Sequence, residues 1–144
     1  MDRSIQSQRL LQAGVALFLL AVLVGLAIPY FTVPRLALST HLVGMLQGIF
    51  LVVVGFLWGR LNLTPSQLRL VYWLVLYQAV AASVSNLLAA AWGAGNSIIP
   101  IAAGAARGST AQEAVINIGL RSAGAALIVT LLLILWGLRR APAA

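Results

Sequence analysis

The chain has 144 residues, 62% of them hydrophobic and only 8% charged, whereas a soluble domain carries about 25% charged residues. This excludes a water-soluble monomer and points to lipid as the solvent, where apolar side chains need no partner if every backbone group is bonded internally. The nine basic residues are all Arg, the acids are only Asp2 and Glu113, and the net charge is +7. Such an excess often marks a nucleic-acid binder. Here the arginines are scattered at the ends of apolar runs, as headgroup anchors are, so membrane lipid is the expected partner and nucleic acid is not. The absence of cysteine excludes a disulfide, an iron–sulfur cluster and a thiolate metal site.

A span needs about 20 mostly apolar residues, so four helical spans and short connections use up the chain as one all-α domain over residues 1–144. The first apolar run extends over about 10–28. It lacks a small-residue cleavage site and is expected to be a span, not a signal peptide. Pro29 removes a donor and ends it, and Tyr30 and Phe31 stand where an aromatic belt is expected. The second run, over about 34–58, opens with Pro34 in the first helical turn. The third, over about 65–92, opens with Thr64-Pro65-Ser66-Gln67, a capping box in which Thr64 caps and Gln67 reaches back. The fourth, over about 111–138, opens with Thr110-Ala111-Gln112-Glu113, read in the same way. The longer connection 93–109 is too apolar at Ile98-Ile99-Pro100-Ile101 for a free loop, so it should lie against the membrane or the bundle top.

With four spans, both termini and the connection at 59–69 share one side. That side carries Arg3, Arg9, Arg60, Arg69, Arg139 and Arg140; the other carries Arg35 and Arg107, with Arg121 ambiguous. The arginine bias places both termini in the cytoplasm.

His41 is the only histidine and lies inside the second span. An ionisable group at membrane depth reads by default as functional, and otherwise as a neutral imidazole bonded to a neighbouring helix. At about 100° per residue, Gly44, Gly48, Gly55 and Gly59 fall within about 60° of His41. Two readings fit: close helix packing, since Gly44–Gly48 and Gly55–Gly59 are both GxxxG pairs, or a flat ligand such as haem held by the imidazole against a wall without side chains. On the third span, Tyr77, Gln78, Ala81 and Ser85 form a polar sector with Asn86 further round, which suits a cavity or a polar helix interface. Ser85 has the alternative of its own i−4 carbonyl. Glu113, Asn117 and Arg121 stack on one face of the fourth span and read as a capped, charge-balanced helix start. One histidine and two acids exclude a Ser-His-Asp triad, a carboxylate pair and a multi-histidine metal site. No acid lies mid-membrane, which argues against a proton-coupled exporter.

The stretch from Pro34 to Gly48, with Trp92-Gly93-Ala94-Gly95, Pro100-Ile101-Ala102-Ala103-Gly104 and Ala111-Gln112-Glu113, resembles bacterial hydroxylaminobenzene mutase. More distantly it resembles styrene oxide isomerase. That resemblance implies a homotrimer with haem b between protomers, His41 as the iron ligand, and Gly44 and Gly48 as part of the cofactor wall. It also implies Lewis-acid chemistry without net redox on a small aromatic substrate. Gln47 matches a substrate-binding position but not its residue type. Tyr77 and Ser85 stand where the isomerase places an acid and a tyrosine, a departure that leans away from epoxides toward the mutase. A related epoxide isomerase and a non-enzymatic four-helix membrane protein are the alternatives.

Overall fold

The computed structural model describes residues 2–139, so Arg140 lies outside the described residues. Among them there are helices and connections and no strand. Four helices are long and apolar enough to cross a membrane. They are α1 (Arg3–Ala27), α2 (Pro34–Leu57), α3 (Pro65–Trp92) and α5 (Thr110–Leu138), and a one-turn α4 (Pro100–Ala103) interrupts the long connection.

The first helix begins at Arg3, before the apolar run itself, because its polar first turns have partners on the end of α2. The Trp58 indole N–H donates to Gln6 Oε1 at 3.2 Å, and the Ser7 hydroxyl donates to the Gly55 carbonyl at 2.8 Å. Pro29 sits in a single 3₁₀ turn, Ile28–Tyr30, that closes α1. The third helix starts with the expected capping box of Thr64 and Gln67 behind Pro65, and stops at Gly93, whose φ of 63° lies in the left-handed region that glycine enters without strain.

Packing runs α1 on α2, α2 on α3 and α3 on α5. Neighbours are antiparallel, as the short connections require. Gly48 meets Gly14 and Gly55 meets Leu11 between α1 and α2, while the Asn62 N–H donates to the Gly137 carbonyl at 3.1 Å beside α5. One buried cluster occupies the end that carries the termini, around Leu10, Leu51, Trp58, Val71, Tyr72 and Ile134. A second occupies the opposite end, around Leu36, Ala37, Ala89, Ala94, Ala103 and Ile116. Arg3, Arg9, Arg60, Arg69 and Arg139 belong to the first end, and Arg35 and Arg107 to the second. With α2 on one side and α5 on the other, α3 is the central helix and the least apolar, at a mean hydropathy of 1.6 against 2.5, 2.1 and 2.2 for the others. Protein neighbours cover polar groups that lipid would not tolerate.

The segment 93–109 is a folded cap, and its organising group is Glu113. The carboxylate accepts from the backbone N–H groups of Gly95 (2.9 Å), Asn96 (3.3 Å), Ser97 (3.1 Å) and Gly108 (3.2 Å), and from the Ser97 hydroxyl (2.9 Å). Asn96 extends the cap by donating to the Gly104 carbonyl at 2.8 Å and accepting from Arg107 at 2.8 Å. This corrects the capping box expected at Thr110 and Glu113. Ser109 is the cap and Gln112 reaches back to it, one residue earlier, because Glu113 is already saturated by the connection.

The α1–α2 contact leaves no room for side chains. A Cβ on Gly14 would stand 2.7 Å from the Gly48 carbonyl oxygen, whereas one on Gly59 meets nothing within 4 Å. Gly14→Val should therefore destabilise the protein by about 1–3 kcal/mol, as overpacking does, and Gly59→Ala should be silent. Thermal unfolding in detergent measures both; equal midpoints would contradict the contact. For the cap, Glu113→Gln should lower stability by about 1.5–3 kcal/mol. Hydrogen exchange should then be fastest at the amides of Gly95, Asn96, Ser97 and Gly108, and unchanged exchange there would contradict the assignment.

Candidate functional site

His41 is half-buried on α2, and α1 sets its ring. Nδ1 lies 2.7 Å from the Ala21 carbonyl oxygen. A carbonyl only accepts, so Nδ1 carries the proton and Nε2 keeps the lone pair. The ring rests on Gly25, where an added Cβ would stand 2.6 Å from Nδ1. Two small residues one turn apart, Ala21 and Gly25, thus provide the bond and the space. The arrangement leaves Nε2 as the ring nitrogen not engaged by that carbonyl. It is also the neutral imidazole bonded to a neighbouring helix that the sequence left open.

The glycines expected to form a bare wall below His41 are covered by α1. A Cβ on Gly44 would be 2.8 Å from the Ala21 Cβ, one on Gly48 2.8 Å from the Gly14 carbonyl oxygen, and one on Gly55 2.9 Å from Leu11. Helix packing accounts for these positions, and Gly59, in the turn beyond α2, faces nothing. Within one chain α1 occupies the direction a side chain on Gly44 or Gly48 would take, while each glycine still lines a small apolar cleft. What stays open beside Gly48 is a shallow apolar cleft of about 240 Å³ between α1 and α2, lined also by Val15, Phe18, Ile49, Val52 and Val53.

Tyr77 and Ser85 do come together. They line a cleft of about 730 Å³ between α3 and α5, with Trp73, Leu88, Gly119 and Ser122 among its other walls. The Tyr77 hydroxyl donates to Ser122 Oγ at 2.7 Å, and Ser122 donates to the Gly119 carbonyl at 3.0 Å. Ser85 lies against Gly119, where any larger residue would meet its hydroxyl. All lining residues belong to α3 and α5, so within one chain His41 and Tyr77 do not share a cavity. Gln47 lines neither cleft. It is half-buried on α2, and its amide makes no hydrogen bond among the described residues.

Gln78, grouped with Tyr77 on the sequence, turns away from that cleft. It is 0% exposed; its Nε2 donates to the Val75 carbonyl at 3.2 Å and its Oε1 has no partner. Burying an unbonded amide oxygen is costly, so an orphan of this kind calls for an explanation. The Ser39 hydroxyl donates to Asn86 Oδ1 at 3.4 Å and fixes the antiparallel register of α2 and α3. Gln47 and Gln78 each lie eight residues along their helix from that bond, at one depth on adjacent helices. The signal for Gln78 was present in the sequence, since it falls on the stripe of Val71, Val75 and Ala82, which α3 buries. Arg121 is exposed on α5, whereas Asn117 donates to Ser97 Oγ at 3.4 Å and so belongs to the cap.

Comparison with known proteins adds relatives to this geometry. The family model described as styrene oxide isomerase matches residues 6–139. The chain is 43% identical over 137 residues to hydroxylaminobenzene mutase HabB of Ectopseudomonas oleovorans, covering 95% of this chain and 84% of that protein. It is 36% identical over 131 residues to hydroxylaminobenzene mutase HabA of the same organism, covering 91% of this chain and 97% of that one. No solved structure matches the chain.

Proposed function

The chain belongs to the styrene oxide isomerase family, an isomerase by its relatives, and from that premise we propose that it converts hydroxylaminobenzene to 2-aminophenol in the membrane. The observation that carries the choice of substrate is the 43% identity to a hydroxylaminobenzene mutase over 95% of the chain. The rearrangement is internally balanced. The N–O bond breaks, a C–O bond forms at the ortho carbon, and the proton lost from that carbon is matched by one gained at nitrogen. No oxidant or reductant is consumed, which agrees with a chain that has no nicotinamide or flavin motif.

The residues present fit haem b with His41 as ligand. The Ala21 carbonyl holds the Nδ1 proton, so Nε2 is the nitrogen left to bind iron. His41 lines none of the clefts described above, so a neighbouring protomer of a homotrimer would supply the cofactor's enclosure. Bound there, the iron would supply a Lewis acid toward the substrate oxygen. The protein's own residues do the remaining work. The apolar clefts admit an aromatic ring from the lipid and exclude water, which would otherwise intercept positive charge developing on the ring. Gln47, whose amide has no partner among the described residues, would orient the hydroxylamine N–H and O–H groups from a protomer contact. In the α3–α5 cleft, Tyr77 and Ser85 line a second apolar surface; across a protomer contact they would face the same substrate.

The chain should form 2-aminophenol from hydroxylaminobenzene with no added redox partner, followed by chromatography. Phenylacetaldehyde from styrene oxide, with no aminophenol from the hydroxylamine, would favour the epoxide reading that the family model's name suggests. The purified protein should show a haem Soret band that His41→Ala abolishes. Gln47→Ala should keep the band and slow turnover roughly tenfold to a hundredfold. A colourless wild-type protein from haem-replete cells would remove the cofactor assignment and leave the reaction to be judged by its products. Both termini are placed in the cytoplasm on the arginine bias. A C-terminal fusion to a reporter active only in the periplasm should be silent, and activity there would reverse the topology.

A further inference from the structure

At the end of the bundle that carries the termini, the first turns of α1 and α3 flank a cleft of about 200 Å³. Arg3, Gln6, Pro65, Leu68 and Arg69 line it. Two guanidinium groups share this space and no acidic side chain lines it. The chain has only two acids. Glu113 is bonded into the cap at the opposite end, and Asp2 accepts from the Ser4 hydroxyl at 3.0 Å. The Arg3 guanidinium donates to the Leu63 carbonyl at 3.1 Å, which anchors it. Arg69 has no hydrogen bond or ion pair among the described residues.

Gln6 is 4% exposed, and its Oε1 is taken by the Trp58 indole. Its amide therefore offers the cleft only N–H donors. Every side-chain polar group turned to the cleft is a donor, and two of them carry full positive charge. The start of α3 adds the positive end of a 28-residue helix. Two like charges in one cleft repel unless an anion stands between them. Pro65 and Leu68 give the cleft an apolar wall, and exposed Trp73, one turn beyond Arg69 on the same face of α3, continues the apolar surface inward.

We propose that this cleft binds a phosphate group, and that the phosphate is carried by an anionic phospholipid. The donors match phosphate oxygens, arginine forks in particular. The depth matches a headgroup, at the level where two spans begin, and basic pockets between transmembrane helices recognise such headgroups. The apolar surface below accommodates acyl chains, which a free phosphate lacks.

The test uses the purified full chain in a neutral detergent. Phosphatidylglycerol, phosphatidylcholine of the same acyl chains, and inorganic phosphate are titrated separately, with binding read by native mass spectrometry and by the shift in unfolding temperature. Phosphatidylglycerol should bind more tightly than phosphatidylcholine. R69Q should weaken it about fivefold and R3Q/R69Q roughly thirtyfold, while R35Q, at the other end of the bundle, should leave it unchanged. R69Q keeps the Arg3–Leu63 bond, so it remains decisive if the double variant does not fold. Equal binding of the two lipids, or unchanged phosphatidylglycerol affinity in R69Q, would overturn the proposal. Displacement of the lipid by inorganic phosphate at comparable affinity would assign the site to a soluble anion and overturn the lipid reading.

Discussion

The approach of α1 to α2 is the contact on which the rest of the molecule depends. Between helices in lipid there is little hydrophobic driving force, because the tails are as apolar as the side chains. What holds two spans together is van der Waals contact at short range, and that range is set by the smallest residues. Gly14 and Gly48 bring the two backbones so close that neither accepts a Cβ. Gly44 against Ala21 and Gly55 against Leu11 extend the seam in both directions. The same closeness puts the Ala21 carbonyl within reach of His41 Nδ1 and gives the ring a flat floor at Gly25. Had the helices been held apart by larger residues, the histidine would have lost both its bond and its orientation.

The second constraint is the position of α3. A helix between two others can bury polar groups that a lipid-facing helix cannot, and α3 carries Gln78, Ser85 and Asn86 in buried positions. These groups divide by face. Asn86 ties α3 to α2 and Gln78 lies on its buried stripe, whereas Ser85 and Tyr77 face the α5 side. The polar chemistry of one chain is therefore distributed over two helix pairs.

The ends of the bundle are built from opposite electrostatic arrangements. At one end a single carboxylate, Glu113, gathers backbone N–H groups from a connection of small residues and makes a compact cap. Gly95, at a φ of 108°, permits the turn that aims its N–H inward. At the other end Arg3, Arg69 and the Gln6 amide line one cleft with no acid among its walls. A chain with two acids has few ways to balance nine arginines, and the bilayer surface is the nearest source of negative charge.

The sequence by itself determined the four spans, because runs of apolar residues without charge have one stable state in lipid. It also determined the cap at Thr64 and the stop at Gly93, which depend on local bonds, and it singled out His41, the chain's only histidine. It did not decide which neighbour covers each face. In a helix that is apolar all round, periodicity marks where the small and polar residues lie but carries no signal for what stands opposite them. Tertiary packing assigned the glycine stripe to α1, turned Gln78 inward and Tyr77 outward, and started α1 at Arg3 because Gln6 and Ser7 found partners on α2. It also moved the last cap from Thr110 to Ser109. A carboxylate can serve a local capping box or a distant loop but not both, and the loop offered Glu113 four backbone donors.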